Sequence, residues 1–463
     1  MVFNSSLILF NNKSIMINPV YAFIPGGYKA DELYNAIPYD KNFEFARASI
    51  ARRVNKDSLI EVVGNSIPRL TYQIPYGKRD VKGNADNTPS YLMEPASTNL
   101  VTYSSDYNVG WSGTNVNMDK TKFSPAGQAT MSPATLLSTA GNGTQNQWVQ
   151  QQAQVFTNQV SCWSVFMKAG KSGLGAIYLY DTTLGGAGIE VGVSFDLING
   201  SVADETLGVN PPRNTGMYYY GNGWYRCFIT YNKEDQSSKT WNPYFRILIS
   251  INSTQGNQLP LNTSLYIWGA MVESEKNSNF PTSYIATQQQ QVTRTKDEAF
   301  NSTLDIASQQ GIFYAYIKPL NAWSFGGQRQ ISINDGTNDN VVTINFSTIN
   351  NTTLGIQVSI KQNGSSIFFY NSADEVDNDF YADKWYKIAI FWSKDDGELY
   401  INGKSVRVDT QMPEFQATTF TEISFENGSG FNDFEGYCKE LLIYDTRSLS
   451  RSEVTKYLQI LTQ

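Results

Sequence analysis

The stretch Leu399–Val406, Leu-Tyr-Ile-Asn-Gly-Lys-Ser-Val, has apolar and polar residues alternating on both sides of an Asn-Gly pair. Alternation with a period of two indicates a strand with one buried face, and Asn-Gly readily adopts the two positive φ angles of a tight type I′ turn. The stretch therefore predicts a β-hairpin and commits this part of the chain to antiparallel sheet. Similar turn pairs occur at Asn199-Gly200, Asn222-Gly223, Asp335-Gly336, Asn363-Gly364 and Asp396-Gly397.

Two series of such strands are separated by a polar, aperiodic segment at residues 281–291, which we expect to be a linker. Neither series contains helical periodicity between its strands. Aromatic residues make up 13% of the chain, a composition that suits half-buried pleated surfaces. With 463 residues the chain can bury more than one core. We predict an all-β protein with two antiparallel jelly-roll-type β-sandwiches, at residues 101–290 and 296–463.

The two ends of the chain have different patterns. Residues 1–100 contain short extended pieces that cannot bury themselves, so we expect an irregular attachment or oligomerisation region that packs on a later domain or on a sister subunit. At the other end, Ser450-Arg451-Ser452-Glu453 fits a capping box and precedes apolar residues at spacings of three and four. The pattern predicts a short C-terminal helix that closes one edge of the second sandwich.

The chain contains no histidine. Ser-His and Cys-His nucleophile activation and His-based zinc sites are therefore excluded, and only carboxylate chemistry remains for catalysis. Glu375–Asp379 resembles the Glu-x-Asp-x-x-Glu pattern of concanavalin-like glucanases, but Phe380 occupies the position of the final Glu. We expect a protein that is not an enzyme, with a polysaccharide depolymerase as the less favoured alternative.

Net charge, apolar runs and cysteine spacing indicate which partners and which metal or disulfide sites the chain lacks. A net charge of −7 and the lack of a large Lys/Arg cluster disfavour nucleic acid. No apolar run approaches the roughly 20 residues of a membrane span, so we expect no signal peptide, no anchor and no membrane insertion. Cys162, Cys227 and Cys438 lack CxxC spacing, which argues against a disulfide framework and a zinc site and favours synthesis in a reducing cytosol.

An ordered set of short motifs runs through residues 43–100. It comprises Arg47-Ala48-Ser49, Arg53-Val54-Asn55, Leu59-Ile60-Glu61, Ile67-Pro68-Arg69-Leu70, Leu92-Met93-Glu94-Pro95 and Thr98-Asn99-Leu100. This set resembles the segment that precedes carbohydrate-binding-module-like and laminin-G/concanavalin-like sandwiches in tailed-bacteriophage fibre and related virion proteins.

Further motifs extend the resemblance into both sandwiches. Asn222–Cys227, Tyr266–Glu273 and Thr282–Thr287 are similar to landmarks of the same phage proteins, although Met271-Val272 and Ala286 depart from their usual Gln-Leu and Pro. In the last part of the chain, Leu399–Gly403 and residues 434–445 are similar to laminin-G-like domains.

The resemblance implies a virion structural protein, of the tail or head, that is assembled in the cytoplasm of a host bacterium. It further implies a homotrimer that contacts other virion proteins through its N-terminal region. Its lectin-like sandwiches would bind bacterial surface glycans for host attachment. The alternative is a purely architectural capsid, tail or neck protein that binds no ligand.

Glycan sites need exposed aromatic rings beside hydrogen-bonding side chains, because sugar rings have apolar C–H faces. Rings in polar segments are therefore the candidates, with packing against strand ends as the competing interpretation for each. These candidates are Trp111, Trp148, Trp241, Tyr218, Tyr244 and Trp323.

One loop of the second sandwich contains two aspartates and is the candidate metal site. Asp335 and Asp339 offer oxygens that suit Ca²⁺, but their spacing matches no defined calcium loop, and an ordinary polar turn is the favoured interpretation. We expect no other cofactor.

Overall fold

The computed structural model describes residues 17–27, 43–72, 89–121, 123–127, 133–141, 147–182, 188–234, 240–250, 259–274, 280–301, 304–320, 328–348, 354–374, 380 and 384–463. Within these ranges the chain is mostly β-strand, with short 3₁₀ turns at Pro25–Gly27 and Ser372–Asp374 and one α-helix, α1, at Arg451–Thr462. No helix in this part of the chain is long and apolar enough to cross a membrane.

The strands are numbered in chain order. The first group is β1 (Tyr21–Phe23), β2 (Glu44–Ala46), β3 (Ala51–Val54), β4 (Ile60–Val63), β5 (Arg69–Thr71), β6 (Ser90–Met93) and β7 (Ser97–Asn99). The second group is β8 (Ser112–Thr114), β9 (Val116–Lys120), β10 (Thr135–Thr139), β11 (Trp148–Gln152), β12 (Val155–Phe156), β13 (Val160–Ala169), β14 (Leu174–Asp181), β15 (Gly188–Asp196), β16 (Ser201–Asp204), β17 (Asn214–Tyr219), β18 (Trp224–Asn232), β19 (Thr240–Trp241), β20 (Tyr244–Ser250) and β21 (Ser264–Glu273). The third group is β22 (Val292–Arg294), β23 (Glu298–Asn301), β24 (Gly311–Pro319), β25 (Gln328–Asn334), β26 (Val341–Thr348), β27 (Leu354–Gln362), β28 (Ser365–Asn371), β29 (Tyr386–Ser393), β30 (Asp396–Ile401), β31 (Lys404–Asp409), β32 (Glu422–Ser424) and β33 (Gly436–Asp445).

The first sandwich consists of two six-stranded antiparallel sheets. Their strand orders are β17-β18-β13-β21-β10-β9 and β16-β15-β14-β20-β11-β8. Alternate residues of each strand point into one shared core, in which Trp163 packs edge-on against Phe245. Residues between these inward positions lie on the outer faces of the sheets, which is how a period of two in the sequence becomes a two-layer fold.

The second sandwich includes strands from the N-terminal region. Its seven-stranded sheet has the order β2-β23-β32-β25-β26-β27-β28, and its eight-stranded sheet has the order β31-β30-β29-β24-β33-β6-β5, with β1 paired to β33. Phe23 and Tyr91 lie in its core against Phe425. The described strands β1, β5 and β6 are therefore buried by a later domain of the same chain, one of the two partners that the sequence left open, and β2 pairs at the edge of that domain.

The predicted all-β class with antiparallel sandwiches and a C-terminal helix is confirmed. The Leu399–Val406 hairpin forms as expected, because Asn402 and Gly403 adopt φ angles of 46° and 83°. The Glu453 carboxylate accepts hydrogen bonds from the Ser450 backbone N–H at 2.8 Å and from its hydroxyl at 2.7 Å. Helix α1 packs Val454 and other apolar residues onto the outer face of the eight-stranded sheet, so it covers a sheet face instead of closing an edge.

One predicted turn is wrong. Asp396-Gly397 lies inside β30, and the turn before it contains Asp395 with a φ of 58°. A Cβ atom at Gly397 would overlap with the sulfur atom of Met412. The glycine is therefore required by the close approach of another segment, not by the turn.

A buried ionic network joins segments that are far apart in the sequence. Asp297 accepts a hydrogen bond from Arg47 at 2.9 Å and another from Arg69. Glu94 pairs with Arg69 and, at 3.0 Å, with Arg294. We call these five residues the junction network, and all of their side chains are 3% exposed or less. Because a buried charge is costly unless it is paired, the segments that carry these residues must be buried together.

The segment at residues 281–291 supplies polar partners to the same region. The Ser283 backbone N–H and hydroxyl donate to the two Glu94 oxygens at 2.7 and 2.6 Å. The Thr282 hydroxyl donates to Glu273, at the end of β21, at 2.6 Å. Thr282 and Ser283 of this segment are therefore half-buried hydrogen-bond donors to buried carboxylates, whereas Gln288–Gln291 are exposed.

Replacing one arginine of the junction network tests its energetic role. We expect Arg69→Met to lower the free energy of unfolding by about 3–5 kcal/mol, because Glu94 and Asp297 would each lose a buried partner. Arg447→Met is the control, because Arg447 is 54% exposed in its pair with Asp445 and its loss should leave the free energy of unfolding nearly unchanged. Urea unfolding of the full chain measures both variants, and equal losses would contradict a structural role for the network.

The pH dependence of stability offers a second test. Burial by itself would raise the pKa of Glu94, but Arg294 and Arg69 outweigh burial and lower it from 4.5 to about 2. Because the folded-state pKa lies below the unfolded-state value, this stabilisation is complete above pH 4.5 and is lost as the pH falls towards 2. The stabilisation that this lowered pKa of Glu94 provides is on the order of 3 kcal/mol. Stability should therefore fall more steeply across this window in the wild type than in Glu94→Gln, and parallel curves would contradict the assignment.

Candidate functional site

Two of the predicted aromatic candidates lie in the core of the first sandwich. Trp111 is 7% exposed and donates its indole N–H to the Tyr103 carbonyl at 3.2 Å. Trp241 is 6% exposed and donates to the Asp181 carboxylate at 2.8 Å. A sugar platform requires an exposed ring face, so we correct Trp111 and Trp241 to core residues.

Two other candidates share an outer sheet face. Trp148 on β11 and Tyr244 on β20 are half-buried and belong to adjacent paired strands, where alternate positions face away from the core. The two therefore share a face but lie four positions apart along the strand pair, because Trp148 is opposite Leu248 and Tyr244 is opposite Gln152. Tyr218 lies on β17 of the opposite sheet, where it is half-buried and stacks on Phe228 with ring centroids 5.3 Å apart. Trp323 and the glucanase-like segment Glu375–Asp379 lie outside the described residues.

The acidic loop of the second sandwich uses its oxygens internally. Asp335 accepts hydrogen bonds from the backbone and hydroxyl of Thr337 and from the Asn340 side chain. Over the described ranges, no group of three or more His, Cys, Asp or Glu side chains is placed to hold a metal ion. Asp335 and Asp339 thus belong to a polar loop that is held by its own hydrogen bonds.

A different site is built by the seven-stranded sheet of the second sandwich. On β26, Val342 and Ile344 point into the core, so the neighbouring positions Thr343 and Asn345 face outward. On β27 the same alternation turns polar side chains to the same face, and the pairing of the strands places Gln357 opposite Asn345. The alternation of both strands thus produces one continuous polar surface.

This surface forms a shallow cavity of about 190 Å³ that we call the amide groove. Amide and hydroxyl side chains dominate it, with one lysine and one phenylalanine. Its lining residues are Gln328, Gln330, Asn338, Thr343, Asn345, Gln357, Ser359, Lys361, Phe369, Asn427 and Asn432.

Hydrogen bonds between the side chains fix the groove before any ligand binds. Asn345 donates to the Gln357 oxygen at 2.8 Å, and the Thr343 and Ser359 hydroxyls are 2.6 Å apart. The buried Asn345 also accepts from the Arg329 backbone N–H at 3.1 Å, whereas the half-buried Gln357 keeps its two N–H donors for a ligand. The Phe369 ring is 49% exposed and can pack against an apolar face. Such a preorganised set of donors, acceptors and one ring is suited to a sugar.

Sequence reasoning missed the amide groove because it looked for tryptophan and tyrosine in loops. The available signal was the outward series Gln357, Ser359 and Lys361, which alternates with buried β-branched residues. A single polar strand face is normally solvent-exposed, so this signal becomes informative only when the neighbouring strand is known.

Residues 295–455 match the family model Laminin_G_3, described as the concanavalin A-like lectin/glucanases superfamily. This part of the chain carries a concanavalin-like lectin/glucanase domain, and the amide groove lies entirely within it. No curated protein sequence matches the chain.

Among solved structures, the chain is similar to a heptameric SAP-like pentraxin from Limulus polyphemus, with 15% identity over 35% of this chain and 74% of that one and a TM-score of 0.25. It is also similar to domains LG4-5 of the mouse laminin alpha1 chain, with 10% identity, coverage of 65% and 86%, and a TM-score of 0.23. A tandem pair of CBM22 domains from Paenibacillus barcinonensis gives 8% identity, coverage of 76% and 98%, and a TM-score of 0.24.

The different placements of the two tryptophans predict different costs of truncation. Trp241→Ala should lower the free energy of unfolding by about 3–5 kcal/mol, because it leaves a core cavity and removes the hydrogen bond to Asp181. Trp148→Ala removes a half-buried ring from a sheet face and should cost roughly 1–2 kcal/mol. Urea unfolding of the full chain measures both, and the reverse order would contradict these placements.

Proposed function

We propose that the protein binds glycans without cleaving them and that the amide groove is a site for uncharged sugar units. The observation that carries this proposal is the convergence of amide and hydroxyl side chains around an exposed Phe369 ring in a lectin-type domain. Sugar hydroxyls both donate and accept hydrogen bonds, and amides match both requirements. The ring offers an apolar surface for the C–H face of the sugar.

The composition of the groove favours binding over hydrolysis. Glycoside hydrolases ordinarily place two carboxyl groups on either side of the scissile bond. The described lining of the amide groove contains no aspartate or glutamate. A polysaccharide held there would therefore meet no acid/base pair.

We further propose that the protein is a structural component of a tailed phage, made in the host cytoplasm, which displays its sandwiches for attachment to the bacterial surface. This part is supported by the order of the sequence motifs between residues 43 and 100 and by their continuation into both sandwiches. A homotrimer held by other virion proteins would multiply weak sugar sites. Detection of the protein in purified particles, with its copy number, tests this part.

The groove itself is tested by removing two partly exposed contacts. In the double variant Gln357→Ala and Phe369→Ala, we expect affinity for a neutral bacterial polysaccharide to fall about tenfold or more, because a hydrogen-bonding group and a stacking ring are lost. Binding by the wild type should change little with salt. Glycan-array screening followed by calorimetry on the strongest neutral ligand provides the measurement.

The matched control carries Gln411→Ala and Phe123→Ala, which remove the same residue types from exposed positions outside the groove lining. It should bind as the wild type does. Absence of wild-type binding to every host polysaccharide would favour the architectural alternative. New reducing ends released from host capsule would instead establish a depolymerase.

A further inference from the structure

The outer face of the sheet β16-β15-β14-β20-β11-β8 contains a second set of ligand-type side chains. Strand pairing places Gln150 opposite Arg246, and Arg246 opposite Tyr178 on the next strand. Two pairs further along, Tyr244 lies opposite Tyr180. We call this set, together with Trp148, the aromatic face. It lies on the first sandwich, so it shares no residue with the amide groove.

The guanidinium group of Arg246 is held between two rings. Its central carbon lies 3.4 Å from the centroid of Tyr180 and 4.2 Å from that of Trp148. Its Nε–H donates to the Gln150 side-chain oxygen at 2.7 Å. Two rings thus lie against the guanidinium group, and Arg246 is half-buried, so a partner would meet it through the N–H donors that Gln150 and Tyr180 do not use.

Several arginines of the described residues pair with a carboxylate, but Arg246 does not, and neither do Arg52 and Arg226. Arg329 pairs with Glu435 and Arg451 with Glu398. No carboxylate of the described residues forms an ion pair with Arg246. Burial lowers the pKa of Arg246 below its usual value, but an arginine remains charged at physiological pH. The aromatic face thus presents a fixed positive charge that the protein itself does not neutralise.

One carboxylate lies at the margin of the same sheet. Asp204 on β16, together with burial, raises the pKa of Tyr178 to about 12. Its carboxylate accepts hydrogen bonds from the backbone and hydroxyl of Thr206. The β16 side of the sheet therefore repels an anion, which directs an acidic group towards Arg246.

We propose that the aromatic face binds acidic polysaccharides, with a sugar carboxylate on the edge of Arg246 and the C–H faces of neighbouring sugar rings on Trp148 and Tyr244. A carboxylate matches two parallel N–H donors of a guanidinium group, and such charge-assisted pairs are stronger than neutral hydrogen bonds. The rings supply the apolar surface that sugar units need. Carboxylate-bearing sugars, uronic acids in particular, combine both features.

A matched pair of polymers tests this assignment. The probes are polygalacturonate and the same polymer after chemical reduction of its carboxyl groups, with affinity measured by calorimetry on the full chain. We expect the wild type to bind polygalacturonate about tenfold or more tighter than the reduced polymer, with an affinity that falls as salt rises. Equal affinity for the two polymers, or no binding to polygalacturonate, would overturn the proposal.

Variants separate a ligand contact from a purely structural stack. Arg246→Gln should abolish the preference for the acidic polymer, and Arg246→Lys should restore it only in part because lysine lacks the planar fork. Arg213→Gln is the control, because it removes the same charge from an exposed position near the opposite sheet. Retention of the preference in a folded Arg246→Gln variant, checked by its unfolding curve, would show that the stack only covers the sheet.

The two binding proposals can fail separately. The groove variant Gln357→Ala and Phe369→Ala should keep its affinity for polygalacturonate, because these residues lie on the other sandwich. Loss of acidic-polymer binding in this groove variant, with Arg246 intact, would contradict the placement of the second site.

Discussion

The junction network is the interaction on which the architecture depends. Glu94 and Asp297 each receive arginines from distant segments, and neither carboxylate could be buried without them. Because Arg47 and Arg69 come from the N-terminal strands, the network holds part of residues 1–100 within the second sandwich. An attachment role for this region would therefore have to use surfaces other than those buried at the junction. Glu273 and its hydroxyl partners continue the same polar cluster into the first sandwich, so both sandwiches are tied to one buried centre.

The sequence was informative wherever the determinant of structure is local. Asn402-Gly403 predicts its hairpin because two neighbouring residues adopt positive φ, and Ser450 and Glu453 predict the helix start because their side chains bond within one turn. Both features need no information from elsewhere in the chain. The same reasoning failed at Gly397, where the demand for glycine comes from Met412, a residue outside the hairpin. A dipeptide therefore predicts a turn only when no distant neighbour explains the glycine equally well.

Features that depend on distant contacts could not be read from the sequence. The short strand Tyr21–Phe23 pairs with Leu441–Ile443, and no local periodicity encodes such a partner. The arginines of the phage-like motifs look like surface residues in the sequence, yet Arg69 is buried because its two acidic partners arrive from other segments. The burial of Trp241 and the partial exposure of Trp148 likewise depend on which face of which strand each occupies. Residue type predicted that some rings would meet sugars, but only strand pairing separates a core ring from one on an outer face.

Two chemically different faces on one chain would change how a polysaccharide is held. Sugar sites that are shallow bind weakly, because few contacts must offset the loss of ligand freedom. The amide groove offers neutral donors and acceptors, whereas Arg246 offers a charge whose contribution falls with ionic strength. A bacterial polymer that alternates neutral and acidic units could occupy both faces, and the second contact would then form at a high effective concentration without any new interaction. Selectivity for such a polymer would arise from the combination, since a wholly neutral or wholly acidic chain would gain from only one of the faces.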